Sequence, residues 1–168
     1  MKKQEKIVAF GEIMLRLTPP DYTTISQARN FVANYGGGEA NVLVSLSHLG
    51  HQTEFLTKLP DNQLGDSAIK HLMGHGVETK HVVRGSSNIG MYFVETGFGG
   101  RPSKVLYNRK HSAITRIEEA EVDFDEIFSS WLSLERLHTS SAMISRAVPI
   151  SGTPSIRSQS RYMSFTAV

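Results

Sequence analysis

Up to Gly76 the chain alternates strand-like and helix-like segments, and that order constrains the fold more than any other feature. Ile7-Val8-Ala9-Phe10 is a continuous apolar run closed by Gly11, as suits a strand buried within a parallel sheet. Gly36-Gly37-Gly38 then opens a segment in which Val42, Leu46 and Leu49 share one helical face, with Leu43 beside them. Gly50 is placed to end that helix. Glu54 to Lys58 reads as the next strand and Asp61 to Asp66 as a loop. Ala68, Ile69, Leu72 and Met73 mark a second amphipathic helix, stopped between Gly74 and Gly76. Strand, helix, strand, helix favours an α/β sheet.

Between these elements Met14-Leu15-Arg16-Leu17 runs into the breaker Pro19-Pro20. Residues 21–35, polar with scattered aromatics, read as loop and edge strand. Beyond Gly76 the pattern changes. Gly90 to Thr96 and Lys104 to Arg109 are rich in strand formers, with Gly97-Phe98-Gly99-Gly100-Arg101-Pro102 between them. This predicts a β-hairpin with a long loop. Two strands do not stand alone in water, so the hairpin must join another sheet or a partner. Residues 116–134 read as a helix, with Asp123 as N-cap and Phe124, Ile127, Phe128 and Trp131 on one face. Leu134 to Ser141 reads as a further strand.

Composition narrows the function classes. No run approaches the ~20 apolar residues of a membrane span, and the apolar run after the basic start is too short for a signal-peptide core. The expectation is a cytoplasmic protein with no membrane partner. The absence of cysteine removes disulfides and thiolate metal sites. A net charge of +2 is too small to argue for nucleic acid. Residues 151–168 hold Arg157 and Arg161 and no acid, so sixteen basic and sixteen acidic residues remain without them.

Three groups of residues could carry chemistry. The glycine triplet before a helix lets backbone approach a ligand closely, though such a triplet is equally a turn. It matches neither a P-loop nor a dinucleotide-binding fingerprint. His71 and His75, four apart on a helix, have a spacing that can bind zinc, but no third ligand is apparent in the sequence, so they read as exposed histidines. The acidic stretch from Glu118 to Glu126 lacks the glycine and spacing of a calcium loop and reads as a solvated helical face.

Gly36-Gly37-Gly38-Glu39-Ala40-Asn41-Val42, with its helix ending in Leu49-Gly50, resembles the N-terminal signature of the PfkB, or ribokinase-like, carbohydrate kinases. Gly11-Glu12 after the first strand and the loop from Asp61 to Asp66 resemble them too. The segments Gly11 to Leu17 and Val105 to Ala113 look most like 2-keto-3-deoxygluconate kinases. The resemblance implies a ribokinase-like three-layer α/β fold with a small β-sheet lid, whose hairpin spans about residues 88–110. It implies that Gly36, Gly37 and Asn41 line a sugar pocket and that Tyr92, Tyr107 and Arg109 reach the substrate from the hairpin. Arg109 would meet the carboxylate of a sugar acid through a planar, bidentate guanidinium. Taken alone, Arg109 is a solvated charge at a strand end, and the tyrosines are a cross-strand pair. By resemblance the cofactors are ATP and Mg2+, and the lid sheet implies a homodimer.

The family's second signature, of the type Asp-Thr-x-Gly-Ala-Gly-Asp, carries the catalytic base and the anion site for the transferring phosphate. It does not occur in this sequence. No residue here is therefore expected to be catalytic, and no nucleotide pocket is expected. Residues 1–148 are read as the N-terminal, substrate-binding part of such a kinase domain. Residues 149–168, rich in Ser, Arg and Thr, are read as an atypical tail produced by a frameshift or early stop.

Overall fold

The computed structural model describes residues 6–85 and 88–129. The described residues up to Ile117 belong to one compact unit and those from Glu118 to Ser129 to a second. The first unit contains two sheets.

In the larger sheet β4 (Gln52–Leu59) is central. It pairs in parallel with β1 (Lys6–Phe10), with β5 (Val77–Glu78) and, farther along its length, with β6 (Val82–Arg84). Two helices accompany this sheet, α1 (Gly38–His48) and α2 (Gln63–Gly74). The smaller sheet has the order β3 (Val32–Gly36), β2 (Met14–Thr18), β7 (Met91–Glu95), β8 (Lys104–Asn108). Its outer pairs are antiparallel and β2 runs parallel to β7. The expected hairpin is therefore β7–β8, with a bridge between Phe98 and Arg101 across its loop, and it joins β2. Gly36 ends the edge strand β3, and Gly37 alone separates it from α1.

Leu43, Phe55, Leu59, Ala68, Leu72 and Val77 form a buried cluster with Ile13, Leu15 and Ile89. Strand alternation explains how the smaller sheet shares it. Leu15 and Leu17 pack toward the core, while Arg16 and Thr18 lie on the opposite face. Glu54 is buried within the larger sheet, where Lys6 Nζ lies 3.0 Å from Oε2 and His81 Nδ1 2.5 Å from Oε1. Burial acts against the Lys6 ammonium, but hydrogen bonds to Glu78 and Glu54 and the charges of both outweigh it and raise its pKa.

Several local expectations are corrected. The buried residues of α1 are Ala40 and Leu43, whereas Val42 and Leu49 are exposed. Two overlapping apolar stripes occur in this helix, and packing on β1 and β4 selects the one with the small Ala40. Gly50 does end the helix, with φ +89°. The amides of Gly50 and His51 donate to the carbonyls of Ser47 and Leu46, which is a Schellman closure. The loop after Asp61 is shorter than expected, because Asn62 Oδ1 accepts from the amides of Leu64 (3.0 Å) and Gly65 (3.2 Å) and starts α2 at Gln63. The helix expected over 116–134 is broken. Two 3₁₀ turns, Ala113–Arg116 and Glu119–Glu121, precede α3 (Phe124–Ser129). Glu121 Oε2 accepts from the Glu118 amide (2.9 Å) and closes the second turn. Asp123 caps as expected, its Oδ1 accepting from the Glu126 amide at 2.9 Å. Trp131, the strand expected over 134–141 and the tail from 149 lie outside the described residues. Among the described residues no helix is long and apolar enough to cross a membrane.

Candidate functional site

Three consecutive glycines do three different things where β3 meets α1. Gly36 is buried, and a methyl group added to it would stand 2.8 Å from the Tyr92 hydroxyl oxygen and 3.8 Å from Asn41 Oδ1. Two polar groups, one from β7 and one from the first turn of α1, thus converge on one bare backbone position. Gly37 is the residue before α1 and its backbone is extended, a conformation open to any residue. It must nevertheless be glycine here, because a methyl group would collide with the carbonyl oxygen of Glu12. Gly38 has open space around it.

Register extends the patch across the sheet. Asn34, Arg16, Tyr92 and Tyr107 form one cross-strand row, so their side chains leave the same face. The rings of Tyr92 and Tyr107 stack with centroids 5.8 Å apart. Arg109 follows two residues after Tyr107, just past the end of β8.

Glu12 ties Arg109 to the glycine turn. It is 8% exposed, and Arg109 Nη2 stands 2.7 Å from its Oε2. Ser112 Oγ donates to its Oε1 at 2.6 Å. The Ser112 amide bonds back to the Arg109 carbonyl (3.2 Å), and His111 between them has φ +62°. This tight turn lets Arg109 and Ser112 reach the two oxygens of one carboxylate. Oε2 receives no well-aligned hydrogen bond, so the contact with Arg109 is mainly one of charge. Gly90 makes room for the arrangement, since a side chain there would collide with Glu12 Oε1. The Arg109 side chain remains 51% exposed, and a guanidinium has five N–H donors. One edge is held by Glu12 while the rest faces solvent.

All six residues singled out in the sequence therefore belong to one connected patch. Gly36 adjoins Asn41 and Tyr92, Tyr92 stacks on Tyr107, and Gly37 packs on Glu12, which holds Arg109. Sequence reasoning did not place Glu12 and Ser112 in this patch. A carboxylate just after an apolar strand and its glycine was the available signal for Glu12. Ser112 gave none. Among the described residues no three His, Cys, Asp or Glu side chains form a ready metal-binding group. No residue of this chain is assigned to ATP or Mg2+.

The match to a family model decides the kinship: residues 4–141 match the pfkB family carbohydrate kinases. The chain belongs to that family. A 2-dehydro-3-deoxygalactonokinase of Haloferax volcanii is 39% identical over 123 residues, covering 72% of this chain and 39% of the relative. A 2-dehydro-3-deoxygluconokinase of Thermoproteus tenax is 30% identical over 127 residues, covering 74% and 39%. The crystal structure of a 2-dehydro-3-deoxygluconokinase from Thermotoga maritima superposes with a TM-score of 0.74 at 48% identity, covering 76% of this chain and 39% of that one. The pfkB assignment and the ribokinase-like α/β fold agree with the sequence reading. The chain spans about two fifths of the length of these relatives.

Proposed function

We propose that this chain forms the sugar-binding part of a pfkB kinase that phosphorylates a 2-keto-3-deoxy sugar acid, 2-keto-3-deoxygluconate first among them, with ATP and Mg2+ as donor and ion. The observation that carries the reading is Arg109, held by buried Glu12 at the edge of a patch made by Gly36, Asn41, Tyr92 and Tyr107. A carboxylate is the substrate group that best uses a half-exposed guanidinium. The stacked tyrosines offer apolar faces and hydroxyl tips to a sugar edge. The lack of a side chain at Gly36 lets the Tyr92 hydroxyl approach Asn41, so that both can meet one sugar hydroxyl. The names of the relatives support the sugar-acid class.

The test is a calorimetric titration of the chain with 2-keto-3-deoxygluconate, fructose and ribose. The sugar acid is expected to bind most tightly. A charge-assisted hydrogen bond contributes roughly 1.5–3 kcal/mol, so Arg109→Ala is expected to weaken that binding about tenfold or more. Equal affinity for fructose and the sugar acid, or equal affinity in Arg109→Ala, would remove Arg109 from the site.

A second reading, a dimerisation module, rests on the other face of the smaller sheet. Phe93 and Leu106 pair across β7 and β8 there, next to Leu17, which packs against the core, and Phe31 meets Phe93 edge-on at 5.8 Å. Leu106 is exposed. Sedimentation of wild type and Leu106→Glu tests it: a dimer converted to monomer supports the reading, and a wild-type monomer ends it.

A further inference from the structure

The helix spacing of His71 and His75 lacked a third partner in the sequence, and the fold supplies one. His48 is the last residue of α1, and His75 follows the last residue of α2. His48 Nε2 lies 3.3 Å from His75 Nδ1. The His48 and His75 ring centroids are 5.3 Å apart, and those of His71 and His75 4.8 Å. All three rings reach solvent.

Two physical arguments suit this pair to an ion. Two imidazole nitrogens bound to one tetrahedral ion at about 2.0–2.1 Å stand about 3.3 Å apart, the separation found here. The carboxyl ends of both helices meet at this place, and their dipoles favour a cation.

We propose that His48 and His75 form a two-nitrogen anchor for a divalent transition-metal ion of the zinc, nickel or copper class, with His71 as third ligand and water completing the shell. Imidazole nitrogen suits these ions, whereas magnesium and calcium take oxygen. His71 must turn toward the anchor, because no three such side chains already form a metal-binding group among the described residues. The site lies at the opposite end of α1 from the glycine turn, about 16 Å away along an 11-residue helix. Its ion would clip α1 to α2 and takes no part in phosphoryl transfer.

The test uses the tag-free full chain, stripped with chelator and titrated calorimetrically with nickel chloride and with zinc chloride. One equivalent is expected to bind. Affinity should fall at least tenfold in His48→Ala and in His75→Ala, and less in His71→Ala. His51→Ala, at an exposed histidine outside the cluster, is expected to bind as wild type. Circular dichroism confirms that each variant folds. As a second readout, the ion should raise the thermal unfolding midpoint of wild type and not of His75→Ala. Binding unchanged in both anchor variants would overturn the proposal, as would neither heat nor a midpoint shift with the wild type.

Discussion

Gly37 and Gly38 are neighbours with opposite demands, and substituting each by alanine tests the account of the glycine turn. At Gly37 the backbone is extended and unstrained, so the only objection to a side chain is space. An added methyl group would overlap the Glu12 carbonyl oxygen and lie 3.1 Å from the carbonyl carbon. Both are backbone atoms beside buried Ile13, so neither can turn aside like a side-chain tip. Overpacking of this kind costs about 1–3 kcal/mol. At Gly38 nothing lies within 4 Å, and alanine in a helix is favoured over glycine by up to about 1 kcal/mol. In a chain of this size 1 kcal/mol moves the melting midpoint by about 2–4 °C. Gly37→Ala is therefore expected to melt roughly 2–12 °C below wild type, and Gly38→Ala at or up to about 4 °C above it. Gly37→Ser sharpens the test. Serine is a favoured N-cap residue, and the Gly37 position has no side-chain cap, yet the same overlap should leave Gly37→Ser below wild type. Differential scanning calorimetry decides it. Gly37→Ala melting with wild type, or Gly38→Ala melting below Gly37→Ala, would refute the packing argument.

Three further outcomes are expected. The folded pKa of His71 is lowered, so its contribution to stability is complete above about pH 6.5 and is lost as pH falls through the folded value; urea midpoints at pH 7.5 and 5.5 should fall less in His71→Gln than in wild type, and equal falls would contradict it. The folded pKa of Lys6 is raised, so its contribution is complete below about pH 10.5 and is lost as pH rises through the higher folded value; Lys6→Met should flatten the alkaline loss of stability, and an unchanged profile would contradict it. This chain alone, given ATP, magnesium and 2-keto-3-deoxygluconate, should give no turnover, because its sequence holds no Gly-Ala-Gly-Asp-type segment; turnover abolished by Arg109→Ala in a preparation free of other kinases would contradict it.

What was legible in the sequence follows what local pattern encodes. The strand before Gly11, the two helices and the hairpin were readable because apolar periodicity and glycine punctuation act over a few residues. The helix face was not, since Val42-Leu46-Leu49 and Ala40-Leu43 are both valid stripes and only the sheet beneath chooses between them. The start of α2 was missed because one side chain, Asn62, makes a helix of what composition presents as a loop. Between Ile117 and Phe124 the residues are acceptable in a helix, but the backbone closes short turns through Glu118, Glu121 and Asp123 instead. For the site, resemblance named six residues; strand register joins Tyr92 to Tyr107, and contacts at Gly36 and through Glu12 join the rest. Contacts between residues far apart in sequence were invisible. Glu12 meets Ser112 and Arg109, and His48 meets His75, only through the fold.

The partnership of Glu12 and Arg109 governs how Arg109 variants must be read. A buried carboxylate left without its cation costs up to about 3–5 kcal/mol, and less here because Arg109 is half-exposed. Arg109→Ala therefore removes a ligand contact and at the same time orphans Glu12, so weaker sugar binding could reflect a displaced turn. Glu12→Gln separates the two effects. The amide keeps the shape and can still accept from Ser112 while discarding the charge that Arg109 neutralises. If Arg109 serves only to satisfy Glu12, then Arg109→Ala in the Glu12→Gln background should bind the sugar acid as well as Glu12→Gln alone. If the guanidinium faces a substrate carboxylate, the tenfold loss persists in that background. Glu12→Gln by itself then weakens binding only as far as Arg109 loses its orientation. The double-mutant cycle thus assigns Glu12 the task of aiming a cation and Arg109 the task of using it.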